Sequence, residues 1–178
     1  MKTISFTIFL FALQVFCFSQ DNSTKLHYIG EKFGGGIVFY LDGSGQHGLI
    51  ASTKDYLGIT WYRMSNIYKL MKAYNMTDGS ENSKTIVAIG GEKSAAGLCA
   101  GLTIEGYSDW YLPSIKELSM MYSHFMEIGG FVMADYWSST EDVDAGGMKA
   151  WAVRFGKSGK EFAANKDKKF AVRPIRKF

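Results

Sequence analysis

Leu112-Pro113-Ser114-Ile115-Lys116-Glu117-Leu118 is the stretch whose reading fixes the rest of the chain. The Ser114 hydroxyl can accept from the backbone N–H three residues on, while the Glu117 carboxylate reaches back to the N–H of Ser114. That reciprocal pair starts a helix. Leu118, Met121, Tyr122 and Phe125 follow at i, i+3, i+4 and i+7, a stripe of apolar side chains turned to a core, and Gly129-Gly130 stop the run.

Beyond those glycines the periodicity drops to two. Tyr136-Trp137-Ser138-Ser139, Ala150-Trp151-Ala152-Val153-Arg154-Phe155, Glu161-Phe162-Ala163-Ala164 and Phe170-Ala171-Val172-Arg173-Pro174-Ile175 read as successive short strands of an antiparallel meander. Gly146-Gly147, Lys157-Ser158-Gly159 and Lys166-Asp167-Lys168 supply the turns. Pro174 has no N–H for a ladder and is expected at an edge or non-bonded position.

Upstream, Ile37-Val38-Phe39-Tyr40-Leu41 and Leu49-Ile50-Ala51 flank Asp42-Gly43-Ser44-Gly45, which reads as a hairpin. Ser65 to Tyr74 carries Ile67, Leu70, Met71 and Tyr74 at helical spacing, Met76 to Ser80 reads as a loop, and residues 85–89 and 94–102 read as two short helical pieces. A hairpin, helices and then a meander make an α+β pattern; no strand–helix alternation points to a doubly wound sheet.

Of 178 residues, 47% are hydrophobic and 21% charged, which excludes a disordered tail, a collagen and a coiled coil. Met1-Lys2 precedes an uncharged apolar run from Ile4 to Phe18, shorter than a membrane span needs, and Ser19-Gln20-Asp21 turns polar. Residues 1–20 are read as a secretory signal peptide, 21–33 as a short lead-in and 34–178 as one domain, with no membrane span after cleavage. The mature chain then keeps one cysteine, Cys99, in a small-residue apolar stretch that reads as packing, and no internal disulfide can form.

Charge is segregated. Residues 149–178 hold ten basic and two acidic side chains, a net of +8, against −6 for residues 21–148. A basic end on an exported chain favours polyanions, an acidic or sulfated polysaccharide above all; the plainer reading is a solvated hairpin face. No sequence-specific nucleic-acid partner is expected.

The series Gly106-Tyr107-Ser108-Asp109-Trp110-Tyr111-Leu112-Pro113-Ser114, Gly129-Gly130-Phe131, Tyr136-Trp137-Ser138-Ser139-Thr140-Glu141, Ala150-Trp151 and Val172-Arg173-Pro174-Ile175-Arg176 resembles one bacterial family. It is typified by the C-terminal domain of the Legionella collagen-like adhesin and is also seen as the Fibrobacter major paralogous domain. The resemblance implies a C-type lectin-like fold with N- and C-terminal strands paired, helices packed on a small antiparallel sheet, an exported location and, through the named adhesin, an association with glycosaminoglycans. The calcium-site motifs and paired disulfides of sugar-binding lectins are missing, so calcium-dependent sugar chelation does not carry over.

Asp135, Glu141, Asp142 and Asp144 are dense enough for a hard cation but lack EF-hand order, and His27, His47 and His124 have no zinc spacing, so neither a metal nor a cofactor is assigned. Ser114 reads as a cap, with no Gly-x-Ser-x-Gly elbow around it, and no enzyme activity is expected. Trp110, Trp137 and Trp151 read as core. The candidate ligand contacts are Tyr107, Asp142, Asp144, Lys157, Lys160, Lys166, Lys168 and Lys169. They would serve a non-enzymatic module binding an acidic polysaccharide through basic C-terminal hairpins, or else a protein-binding surface module.

Overall fold

A computed structural model describes residues 26–62, 70–89, 91, 93–156 and 158–178. The proposed signal peptide, Lys157 and the first half of the helix read over residues 65–74 lie outside them; Leu70 to Tyr74, which are described, are not helical.

Among the described residues, two sheets and four α-helices make an α+β architecture. The first sheet has the order β1 (Lys32–Phe33), β2 (Gly36–Leu41), β3 (Gly48–Ala51), β9 (Ile175–Lys177). The second has the order β4 (Tyr56–Thr60), β8 (Lys169–Val172), β5 (Asp135–Glu141), β6 (Lys149–Arg154), β7 (Glu161–Asn165). The expected hairpin is β2–β3, with Val38 opposite Ile50. The last strand joins this same sheet, but its partner is β3, with Leu49 opposite Lys177 and Ala51 opposite Ile175. The first and last strands of the described residues therefore share one sheet, with β3 between β2 and β9.

The meander holds for three strands and then breaks. β5, β6 and β7 are antiparallel neighbours, whereas β8 crosses back to lie between β4 and β5, parallel to β5 at Tyr136 and Ala171. The run read as one strand over residues 170–175 is two: Val172 belongs to one sheet and Ile175 to the other. The corner between them is Arg173-Pro174, where the missing N–H of proline leaves no ladder bond unmade.

The helix begun by Ser114 is α3 (Ile115–Ser123), and both halves of its capping box are formed. His124 interrupts it before α4 (Phe125–Ile128), and Gly129 and Gly130 follow, both at φ +69°. Leu118 and Met121 of α3, with Ile128, pack between the two sheets against Phe39, Leu49, Tyr136 and Val153. The opposite face of the second sheet is covered by α1 (Gly79–Ala88) and α2 (Ala95–Ala100), where Ile86, Ala96 and Cys99 meet Trp137, Ala152 and Val172. Tyr136 and Trp137 thus point into opposite layers, as consecutive strand residues must. The outer face of the first sheet carries Val38 and Ile50 under Trp110.

α1 begins six residues before the helical reading started. Asp78 is its N-cap, its carboxylate accepting from the N–H groups of Ser80 and Glu81. Side-chain competition at Asp78 turns what composition suggests is a loop into a helix start.

Candidate functional site

A groove of about 550 Å³ opens between α1, α2, the segment before α3 and the end of β9. Ser80, Ser83, Lys84, Val87 and Ala88 of α1 line one wall at i, i+3, i+4, i+7 and i+8, which puts them on one helix face. Ala100 closes it at the end of α2. Ser108-Asp109-Trp110-Tyr111 and Lys177 form the far wall.

That far wall is held from both sides. Tyr111 exchanges two backbone hydrogen bonds with Ile175, at 2.8 and 3.0 Å, so the segment lies on the free edge of β9. The Trp110 indole N–H donates to the Tyr107 carbonyl at 3.0 Å, and the ring itself is buried. Arg176 grips Asp109 at two points, Nε to Oδ1 at 2.7 Å and Nη2 to Oδ2 at 3.0 Å, with its guanidinium 4.1 Å from the Tyr107 ring centre. The Arg176 hydrogen bond holds the Asp109 carboxyl below the usual carboxylate range.

Lys177 spans the rim. Its Nζ donates to Asp78 Oδ2 at 2.9 Å and to Ser80 Oγ at 3.3 Å. Partial burial works to raise the Asp78 pKa, yet the hydrogen bonds from Ser80 and Lys177 bring it down to about 2. Lys84 is exposed and, among the described residues, makes no ion pair. The Tyr111 hydroxyl donates to Glu117 at 3.0 Å, and burial pushes its pKa well up.

Ser80 Oγ donates to Asp78 at 2.6 Å, Ser83 Oγ accepts from the Leu112 N–H at 3.1 Å, and no His or Cys lines the walls. Among the described residues no three His, Cys, Asp or Glu side chains converge as a metal site. Asp135 pairs with Arg154 and Asp142 caps a 3-10 turn over Val143–Ala145 by accepting from the Asp144 N–H at 3.2 Å.

The sequence-read contacts fall apart in space. Tyr107 stands beside the groove, 38% exposed. Lys160 begins the β7 hairpin arm, whereas Lys168 and Lys169 sit past its other end, about 17 Å away along a five-residue strand. Lys166 is a correction: it is wholly buried and ion-paired with Glu141, so it presents no charge to a ligand.

Several basic side chains of the end segment are engaged inside the fold. Arg154, Lys166, Arg173, Arg176 and Lys177 pair with Asp135, Glu141, Asp55, Asp109 and Asp78, all drawn from the acidic part of the chain. The Lys166 N–H donates to the Met148 carbonyl at 3.0 Å, which ties the turn after β7 to the segment before β6. Five of the ten basic side chains of the end segment are thus paired inside the fold.

The groove residues Lys84, Val87, Ala88, Ala100 and Lys177 were not among the sequence-read contacts. The available signal was Asp78 with Glu81 three residues on, which starts α1 in time to place Ser80, Ser83 and Lys84 on one face.

The profile of the Lcl C-terminal domain matches residues 53–176, most of the length that the two sheets span. The chain belongs to the Lcl C-terminal domain family. The match takes in α1, α2, the capped α3 and the second sheet, and ends at Arg176, so every wall of the groove but Lys177 lies within the family region. No curated protein matches the sequence. Among solved structures, a fimbrial protein from Bacteroides ovatus ATCC 8483 is similar, with 16% identity and a TM-score of 0.47, over 72% of this chain and 35% of that one. No helix among the described residues is long and apolar enough to cross a membrane.

Proposed function

We propose that this chain is an exported, non-enzymatic binding module of the adhesin type, taking an extracellular ligand in the groove between α1 and β9. Membership in the Lcl C-terminal domain family supports a surface-binding role. The observation that carries the site is the open apolar groove with Lys84 and Lys177 on facing walls. An acidic saccharide suits it: a carboxylate or sulfate reaches Lys84 while the C–H face of the ring rests on Val87, Ala88 and Ala100. The proposed ligand class is thus a polyanionic glycan, docked at the groove and not on the C-terminal hairpins.

An exposed charge contact contributes about 1 kcal/mol or less, so each module binds weakly, and affinity falls as salt rises. The apolar lining also favours a second reading, a segment of a surface protein bearing one acidic side chain beside a small apolar one.

The test is binding to immobilised heparin and to an uncharged glycan panel, with wild type, Lys84→Glu, Ala100→Trp and the pair Lys168→Glu/Lys169→Glu. Charge reversal at Lys84 is expected to weaken heparin binding roughly tenfold, which corresponds to about 1.4 kcal/mol. Ala100→Trp, which fills the groove, should abolish it, and the Lys168/Lys169 pair should leave it unchanged. Loss in the Lys168/Lys169 pair with Lys84→Glu intact would move the site to the hairpin turn. No retention by any glycan leaves the protein-segment reading to be tested by capture from surface extracts with the same variants.

A further inference from the structure

We propose that Lys166 and Glu141 condense to an amide between the lysine Nζ and the glutamate Cδ, a self-formed cross-link inside the second sheet. Both side chains are fully buried and the amine lies against Glu141 Oε1. Three features make the place a reaction site as well as an ion pair. The Trp61 ring covers the amine, its centre 4.5 Å from Nζ, and shuts out water. The carboxylate accepts from the backbone N–H of Met71, at 3.1 Å to Oε1 and 3.0 Å to Oε2, and from that of Lys72 at 3.0 Å to Oε2. Lys72 is one of two non-glycine residues with positive φ among the described residues, at 58°, a backbone conformation rarely held without a reason.

The chemistry balances within the pair. Burial lowers the pKa of Lys166, which brings the neutral amine within reach. A proton passes from the ammonium to Glu141 Oε1, leaving an amine and a carboxylic acid. The nitrogen lone pair then forms the N–C bond at Cδ, and charge builds on Oε2, where the Met71 and Lys72 N–H groups already point. The second amine proton goes to Oε1, the C–Oε1 bond breaks, and one water leaves. Nothing is oxidised or reduced, and no co-reactant is required. Two opposite buried charges, each costly to hold away from water, become one neutral amide. Holding the partners in contact supplies the proximity that a bimolecular condensation lacks.

The bond would fasten the end of β5 to the turn joining β7 and β8, so tension on the chain ends would bypass β6 and β7. Cys99 is the sole cysteine among the described residues, so no disulfide does this work there.

The test is intact mass under denaturing conditions on the purified full chain, followed by peptide mapping. The expected mass is lighter than the sequence by one water, with the peptides holding residues 141 and 166 recovered as one branched species. Lys166→Arg, which keeps the charge but cannot make the same amide, is expected at its full sequence mass. Wild-type protein at full mass with both peptides free would overturn the proposal, and so would a missing water that persists in Lys166→Arg. The wild-type measurement stands even if the variant does not fold.

Discussion

Arg176 binds Asp109 through two parallel hydrogen bonds, at 2.7 and 3.0 Å, while its guanidinium lies on the Tyr107 ring and Nη1 reaches the Gly34 carbonyl at 3.3 Å. One side chain of the last strand thereby fixes the segment before α3 and the turn before β2. The fork geometry belongs to arginine alone, since an ammonium cannot make two parallel bonds to one carboxylate.

Arg176→Lys is therefore expected to destabilise the fold by about 1 kcal/mol, the Asp109 side chain being more than half exposed and its pairing screened accordingly. A double-mutant cycle with Asp109→Asn should return a coupling of at least about 0.5 kcal/mol. Additive effects in urea unfolding would show that the two side chains act independently.

Glu117 is the second such hub. Its Oε2 accepts from the N–H of Ser114 at 2.8 Å and of Gly79 at 2.9 Å, and its Oε1 from the Tyr111 hydroxyl, so one buried carboxylate joins the starts of α1 and α3. Glu117→Ala orphans three buried donors, and a loss on the order of 3 kcal/mol is expected. Ser114→Ala removes one cap acceptor and should cost about 1 kcal/mol. Equal losses for the two variants in urea unfolding would mean that Glu117 does no more than complete the capping box.

What the sequence made legible was local. The capping box at Ser114 and Glu117 needs only four residues, and it formed as read. The β2–β3 hairpin and the β5–β6–β7 meander likewise follow from alternation and turn residues. The crossover of β8 was not legible, because the same alternating pattern fits an edge strand beside β7 or a central strand beside β5; only the packing of Val172 against Trp137 decides it. Charge misled for the same reason. Lys166, Arg173 and Arg176 count as surface bases in a composition, yet their partners lie 25, 118 and 67 residues away in the chain. The groove was invisible because its walls come from four separate segments.

Gly36 is required by space and not by backbone freedom. A Cβ there would lie 2.1 Å from the Ala51 carbonyl oxygen across the β2–β3 pair. Gly36→Ala must push the strands apart, and a loss on the order of 3 kcal/mol is expected. Gly58 poses the opposite case: its φ is +69° but nothing lies within 4 Å of the added Cβ, so Gly58→Ala should lose only about 1 kcal/mol of backbone strain. Thermal unfolding of the two variants side by side decides the matter, and a Gly58→Ala loss as large as that of Gly36→Ala would refute it.

Asp78 makes the rim of the groove sensitive to acid. Its pKa falls from an ordinary 3.8 to about 2 in the folded chain, held down by Ser80 and Lys177 against partial burial. A folded pKa below the unfolded one means that the stabilisation is complete above pH 3.8 and drains away as pH falls toward 2, because the unfolded chain takes up the proton first. Asp78→Asn keeps a side-chain oxygen to cap α1 but loses the charge that holds Lys177. Its stability deficit relative to wild type should therefore be constant near neutrality and shrink as pH drops through that window. Urea unfolding of both proteins from about pH 6 to about pH 2 measures this directly. A deficit that stays the same across the whole range would mean that Lys177 is held by Ser80 and the Tyr111 ring, 5.9 Å away, with no help from the carboxylate charge.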